Sequence, residues 1–374
     1  MEQVTRVGIV GGGQLAMMMA DAGARLGLTI DALVQGSEDP VVGRCKRTVI
    51  GDARSADALR ELAEQVEVIT FDHELVDADV LASLETEGIV IRPSSASMRV
   101  AIDKQRQFEL FRELNLTQPE TVVVHDVDAA VAAFAAFGGR AVAKVATGGY
   151  DGRGVLLSAS EAGLREWFPT TPVAVLVQRA MEIEYEIAAQ VVRAVDGTMV
   201  SYPPVRTVQS NGMCSVVHVP AQCDVDIERE AVRIARTIAD AIGVIGILAV
   251  EFFVVDGELV VNELAARPHN SGHLTIEASL TSQFENHMRA VTGRSLGSGE
   301  LRVAAAAMVN IVGHVAPTAA LADAPEDVAV HLYGKAPRPG RKIGHVTAVA
   351  ATTGRAVELA IETAAQLENG DMRS

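Results

Sequence analysis

Cysteine is scarce in this chain of 374 residues: Cys45, Cys214 and Cys223 are an odd number, with neither a CxxC pair nor metal-ligand spacing. Neither a disulfide framework nor a zinc site is expected. Aromatic residues make up only 4%, leaving little surface for stacking bases. Positive charge is also short, with 32 Lys and Arg against 48 Asp and Glu, a net charge of −16. A surface this acidic does not grip a phosphate backbone, so no nucleic-acid partner is expected, whereas a local basic pocket for a small anion remains open. No apolar run approaches the roughly 18–20 residues of a membrane span. No basic, apolar leader is expected either, because Arg6 is followed at once by a short strand and a glycine turn. A cytoplasmic protein without membrane contacts is expected. No low-complexity tail and no internal repeat of about 20–50 residues is visible.

What is present suits two or three packed domains. Val4–Val10 reads as a strand and runs directly into Gly11-Gly12-Gly13-Gln14-Leu15-Ala16, then a helix to Leu26. Gly11, Gly13 and Ala16 fit G-x-G-x-x-G/A in its strand–turn–helix setting, where helix N-terminal amides make a phosphate site. Such units also occur purely for tight packing. Short strands and helices alternate up to Phe71, which implies a parallel sheet covered on both faces. Asp72, His73 and Glu74 follow its last strand, where open α/β sheets bind ligands. A helix is expected from Met98 through Lys104 to Leu114.

Lys144 stands in the otherwise apolar strand Ala141–Ala146, and such a lysine asks for a phosphate partner. Thr147-Gly148-Gly149-Tyr150-Asp151-Gly152-Arg153-Gly154 comes next. Four glycines in eight residues exceed what a plain hairpin needs and suggest a lid closing over phosphates. Gln178 to Met181 suits an interdomain connection that reads adenine through backbone groups, with Glu186 facing a ribose. Asp226 is expected to cap a helix over 227–242, and the helix ending at Val291 is assigned to packing.

The densest stretch runs from Glu251 to His273, E-F-F-V-V-D-G-E-L-V-V-N-E-L-A-A-R-P-H-N-S-G-H. Glu251 is a carboxylate within an apolar strand, and a buried carboxylate without a partner is costly. Two glutamates at the ends of a hairpin therefore ask for a divalent cation. A strict two-residue turn at Asp256-Gly257 sets Asn262 opposite Glu251 and turns Glu263 to the other face. Joint ligation thus needs Asn262 to end the strand or to form a bulge, and a bulge is expected, since bulges re-aim side chains near active sites. Arg267, His269 and Asn270 then offer donors to a small oxyanion. Farther on, Lys335, Arg338, Arg341 and Lys342 concentrate positive charge as a phosphate clamp or a solvated loop.

Together the strand lysine, the glycine lid and the late glutamate pair resemble the ATP-grasp superfamily. Within it, G-G-G-Q-L, G-G-Y-D-G-R-G, N-E-L-A-A-R-P-H-N-S-G-H and R-P-G-R-K-I-G-H resemble the N5-carboxyaminoimidazole ribonucleotide synthetases of purine biosynthesis over almost the whole chain. The resemblance implies an α/β and α+β multidomain fold. Residues 1–95 form a Rossmann-like pre-ATP-grasp domain, 96–300 an ATP-grasp domain with a lid subdomain at about 120–185, and 301–374 a small β-rich domain. It also implies a ligase consuming ATP, bicarbonate and 5-aminoimidazole ribonucleotide with magnesium, and a homodimer.

By the same resemblance Glu251 and Glu263 hold the metal. Lys104, Lys144, Gly149, Tyr150, Asp151, Gly152, Arg153, Gly154, Gln178, Glu186 and Asn262 hold ATP. Arg267, His269, Asn270 and Lys335 are catalytic, while Gln14, Tyr150, Arg153, His273, Lys335, Arg341 and Lys342 bind the ribonucleotide. The chain departs from the family at Ala266, commonly proline, and at Gln178, commonly glutamate. A sister enzyme using formate, a dinucleotide-dependent dehydrogenase and a nucleotide-binding sensor are the competing readings. The dehydrogenase leaves the lid and the glutamate pair idle, and a sensor has no need of paired carboxylates.

Overall fold

The computed structural model describes residues 4–149, 154–157, 160–168, 173–210, 212–315 and 325–369. The chain opens with β1 (Arg6–Val10), α1 (Gln14–Arg25), β2 (Thr29–Val34), β3 (Arg47–Ile50), α2 (Ala56–Ala63), β4 (Val68–Phe71) and α3 (Ala78–Thr86). These strands make a parallel sheet in the order β3-β2-β1-β4. β4 is buried throughout and β1 along Val7–Val10, as apolar strands covered on both faces should be.

The helix expected from Met98 to Leu114 is two helices. α4 (Ser95–Ala101) is capped by Ser94, and α5 (Lys104–Glu113) starts afresh at Asp103, whose carboxylate accepts from the amides of Gln105 and Arg106. An aspartate inside a helical pattern competes as an N-cap, and here it wins. The break matters for position: the Lys104 amide donates to the Ala146 carbonyl at 2.8 Å, which anchors the start of α5 beside the Lys144 strand.

A second sheet, antiparallel in the order β5-β8-β6-β7, contains β5 (Thr121–Val124), β6 (Ala141–Val145), β7 (Val155–Leu156) and β8 (Val175–Arg179), with α6 (Val127–Ala136) and α7 (Glu161–Trp167) between them in sequence. Beyond it come β9 (Tyr185–Arg193), β10 (Met199–Ser201), β11 (Val205–Ser210), β12 (Met213–Val219), α8 (Val225–Ala241), β13 (Gly246–Val255) and β14 (Glu258–Ala265). Asp224, not Asp226, caps α8; Asp226 lies in the first turn and its amide is the one Asp224 accepts from. Two short helices, α9 (Thr275–Ala278) and α10 (Gln283–Val291), precede β15 (Ala305–Val312), β16 (Val328–Leu332), β17 (Lys342–Ala350) and the 17-residue α11 (Thr353–Asn369).

The strands after residue 301 do not stand apart. β15 pairs with β12 from Val309 to Ala306, so one sheet runs β14-β13-β9-β11-β12-β15-β17-β16, with β10 added on β9. Among the described residues no helix is long and apolar enough to cross a membrane.

α10 ties the first sheet to the large one. Phe284, Met288 and Val291 pack with Met17, Met18 and Met19 of α1 in one buried cluster. His287 sits between the sheets, fully buried. Its Nδ1 accepts from the Ile247 amide at 3.2 Å, so Nε2 carries the proton and donates to Thr70 Oγ1 at 2.8 Å. Burial pushes this imidazole down to about 3. The folded chain therefore binds fewer protons than the unfolded chain below the ordinary histidine range, and stability falls with acidification. His287 alone should remove about 2 kcal/mol between pH 7.5 and 5. Urea midpoints at the two pH values should differ more in the native chain than in His287→Gln; equal differences would refute the assignment.

Candidate active site

The β13–β14 hairpin closes on Asp256 and Gly257, both at positive φ (50° and 73°), the backbone of a tight two-residue turn. From there the strands pair in step as far as Phe252 opposite Val261. The register then shifts, and Glu251 faces Glu263. Asn262 is the extra residue, and the expected bulge is present. It brings the two glutamates together across adjacent strands. The free side of β14 is secured by Gln107, whose amide accepts from the Leu264 N–H at 3.0 Å, and by the Thr117 carbonyl, which accepts from Val261 N–H at 2.8 Å.

Both lysines reach this place. Lys104 Nζ forms an ion pair with Glu263, and Lys144 Nζ donates to Asn262 Oδ1 at 2.8 Å. The electrostatics split the carboxylates. The Lys104 charge holds Glu263 well below the usual carboxylate range, against the opposing effect of burial. Burial, then the charge of Glu263, pushes Glu251 well above it. Burial also lowers Lys144, to about 8; at Lys104 burial works the same way, but the carboxylates of Glu263, Glu74 and Glu251 together outweigh it and raise that ammonium. Lys104, Lys144, Asn262, Glu263 and Gln178 line one recess, floored by Phe108, Phe111 and Leu176.

Gln178 is buried near the end of β8 and donates from Nε2 to Thr121 Oγ1 at 3.1 Å. Thr121 gives its own proton to the Pro119 carbonyl at 2.7 Å. Glu186 on β9 accepts from Gln209 at 3.0 Å, and burial raises its carboxyl. The glycine loop leaves β6 and returns as β7, with Val145 N–H on the Gly154 carbonyl at 2.9 Å. Gly154 has φ +74°, and a Cβ there would lie 3.4 Å from Gly149 Cα and 2.4 Å from Val145. The neck needs glycine on steric grounds alone. Tyr150, Asp151, Gly152 and Arg153 lie outside the described residues.

The oxyanion set sits beside the hairpin. His269 Nε2 is 3.5 Å from Glu251 Oε1. Gln190 Nε2 donates to Ser271 Oγ at 3.0 Å, which leaves Ser271 to donate to His269 Nδ1 at 2.8 Å and puts the proton on Nε2, toward Glu251. Gln283 clamps the His269 backbone from both sides, accepting its N–H at 3.0 Å and donating to its carbonyl at 2.7 Å. Arg267 Nε pairs with Glu74 at 2.7 Å, which ties the first sheet to this loop. Asn270 exchanges two hydrogen bonds with Asn310 of β15.

Gln14 and Lys335 meet, the ammonium donating to Gln14 Oε1 and lying 5.6 Å from the Tyr333 ring centre. Of the other members of the ribonucleotide set, His273, Arg341 and Lys342 are described, whereas Tyr150 and Arg153 are not. His273 is wholly buried, its ring 4.9 Å from that of His345 and its Nδ1 3.4 Å from Gln283 Nε2. It follows directly on the tight helical turn at Asn270–Gly272, and its Nε2 is buried without a hydrogen-bond partner. Lys342 is buried at the start of β17, and Arg341 donates to the Ala336 carbonyl at 3.2 Å, bracing its own loop.

The glycine turn after β1 is also not the phosphate site that its pattern suggests. Asp72 fills that place with its own carboxylate, Oδ2 accepting from Gly13 N–H at 2.8 Å. Gln107 and Asn310 carry no motif, Gln283 begins the helix assigned to packing, and Ser271 stands in the H-N-S-G-H run without a role of its own in the sequence.

Three family models match the chain in succession. They are a ribonucleotide synthetase preATP-grasp domain at residues 4–102, an ATP-grasp domain at 109–284 and a phosphoribosylaminoimidazole carboxylase C-terminal domain at 306–358. The N5-carboxyaminoimidazole ribonucleotide synthase of Mycobacterium tuberculosis is 38% identical over 97% of this chain and 88% of its own. The Thermus thermophilus synthetase structure superposes with a TM-score of 0.87 at 32% identity, covering 98% of this chain and 100% of its own. An Aspergillus clavatus synthase, solved with ADP and 5-aminoimidazole ribonucleotide, gives 0.88 at 29% identity over 98% and 100%. With an ATP-grasp fold of this order and relatives alike along nearly the whole length, the chain belongs to the N5-carboxyaminoimidazole ribonucleotide synthase family.

Proposed function

We propose that this enzyme joins bicarbonate to the exocyclic amine of 5-aminoimidazole ribonucleotide at the expense of ATP. The observation that carries the reading is the facing pair Glu251 and Glu263, overhung by Lys104 and Lys144 and flanked by His269. The pair fits a divalent cation. Burial and a neighbouring anion both disfavour the charge on Glu251, a conflict that a cation between the carboxylates removes. Among the described residues no three His, Cys, Asp or Glu side chains could hold a metal unaided. That suits magnesium, which takes one or two carboxylates and fills its remaining positions with phosphate oxygens and water. Bound there, it neutralises charge on the transferring phosphoryl group.

The chain's own groups do the rest. Lys104 and Lys144 hold the phosphates, and the recess by Gln178 takes the base, with Glu186 toward the ribose. A bicarbonate oxygen held by Arg267, His269 and Asn270 attacks the γ-phosphorus. A new P–O bond forms, the bond to the β-phosphate oxygen breaks, and ADP leaves. The carboxyphosphate so formed gives its carboxyl carbon to the amine; the N–C bond forms, phosphate departs and the amine loses a proton. Carboxyphosphate is short-lived in water, which gives the glycine loop a purpose in closing over it. Gln14 and Lys335 hold the ribonucleotide.

The domain limits 1–95, 96–300 and 301–374 and a homodimer are part of the same proposal. The test is ADP and phosphate release by purified protein with each ribonucleotide and with bicarbonate or formate. Release requiring both bicarbonate and aminoimidazole ribonucleotide is expected. Dependence on formate would transfer the chain to the sister reaction.

A further inference from the structure

Asn310 lies on β15, remote in sequence from every motif of the site, and is almost completely buried. Its Nδ2 donates to the Cys214 backbone carbonyl on β12 at 2.9 Å. A carbonyl oxygen can only accept, so this contact decides which end of the Asn310 amide is nitrogen. The same Nδ2 donates to Asn270 Oδ1 at 2.9 Å, while Asn310 Oδ1 accepts from Asn270 Nδ2 at 3.0 Å. Turning both amides over together would preserve their mutual bonds but set oxygen against the Cys214 carbonyl. The orientation is therefore fixed outward from the backbone of β12, through Asn310, to Asn270.

We infer that Asn310 is the positioning residue of the oxyanion site, locking the Asn270 amide with one Nδ2–H left to donate to the bound anion. The inference rests on the carboxylation reading for the identity of that anion, but not for the lock itself. An amide that can turn over offers an anion oxygen as often as N–H, and an oxygen repels it. The C-terminal strands thus contribute to the chemistry through their join with β12 and without touching a substrate. Asn310→Asp keeps the size and loses both donated bonds.

Two measurements test this. In Asn310→Asp the kcat/KM for bicarbonate should fall about 10- to 100-fold, with the KM for ATP within about twofold of wild type, since the nucleotide recess is elsewhere. In the Asn270→Ala background, Asn310→Ala should add almost nothing; an equal loss in both backgrounds would show a general structural role and overturn the inference. The second readout needs no turnover. The Asn270 side-chain amide should give one slowly exchanging resonance pair in nitrogen-15 spectra of the native chain, lost in Asn310→Ala. An amide exchanging freely in the native chain would overturn the lock, whereas a locked amide in a chain inactive with bicarbonate would overturn only the reading of the substrate.

Discussion

Glu263→Gln is expected to lower bicarbonate-dependent turnover roughly 10²- to 10³-fold while leaving the circular-dichroism spectrum unchanged. The substitution keeps the bulge, the side-chain length and a hydrogen-bond acceptor for Lys104, and removes only the charge. Magnesium titrations should show the loss as a weakened metal response. Turnover within about threefold of wild type would dismiss Glu263 as a ligand. Glu251→Gln separates stability from function at the same place. The Glu251 pKa is raised in the folded chain, so the folded state holds more protons from about pH 4.5 upward and loses stability as pH rises through that window. Removing the carboxylate should therefore raise Tm at pH 8 in the absence of nucleotide and metal, although activity is lost. A site built for a bound cation and tested without one should behave in this way.

Gly11→Ala should destabilise the chain by about 3–5 kcal/mol, combining strain at positive φ with overpacking. Gly11 has φ +116°, and a Cβ there would lie 1.6 Å from Asp72 Oδ1 and 2.4 Å from its Cγ. The carboxylate that occupies the start of α1 would have to leave, freeing the Gly13 amide. Thermal melting should drop by about 5 °C. Gly11→Ala combined with Asp72→Ser should recover part of the loss, because the shorter side chain clears the clash. A single variant that melts with the wild type would rule out this packing.

The hairpin was legible because its signals were local. A carboxylate among apolar residues, an Asp-Gly turn and the parity of the strand were enough to expect a break in the ladder at Asn262, a bulge rather than a strand end, with Glu251 beside Glu263. Lys144 was legible for the same reason, a lysine in an apolar strand beside a glycine-rich loop. What escaped depended on partners distant in the chain. His273 looked like one more polar group in a run of them; its full burial against the ring of His345, some seventy residues later, leaves no mark in that run. The glycine turn matched a phosphate pattern, but its occupant, Asp72, comes from another strand end. The helix break at Asp103 was available from capping chemistry and was passed over in favour of the longer periodicity. Asn310 had no signal of its own, since an asparagine in an apolar strand becomes informative only when its two partners are known. The union of β15 with β12 was invisible too, because pairing between strands nearly ninety residues apart leaves no mark in either.

The bulge at Asn262 makes this hairpin sensitive to counting as well as to identity. Deleting Asn262 would restore an unbroken ladder and still set a glutamate opposite Glu251, yet Lys144 would lose the amide that holds it. Deleting Leu259 or Val260 instead would also slide the apolar side chains between the gap and the bulge onto the opposite face. Inserting one residue would turn every later side chain over, sending Arg267 and His269 off the cleft. In a population of variants, point changes at the apolar positions of this hairpin should persist far more often than changes in its length. The length of one strand, and not only its letters, is thus part of what the site inherits.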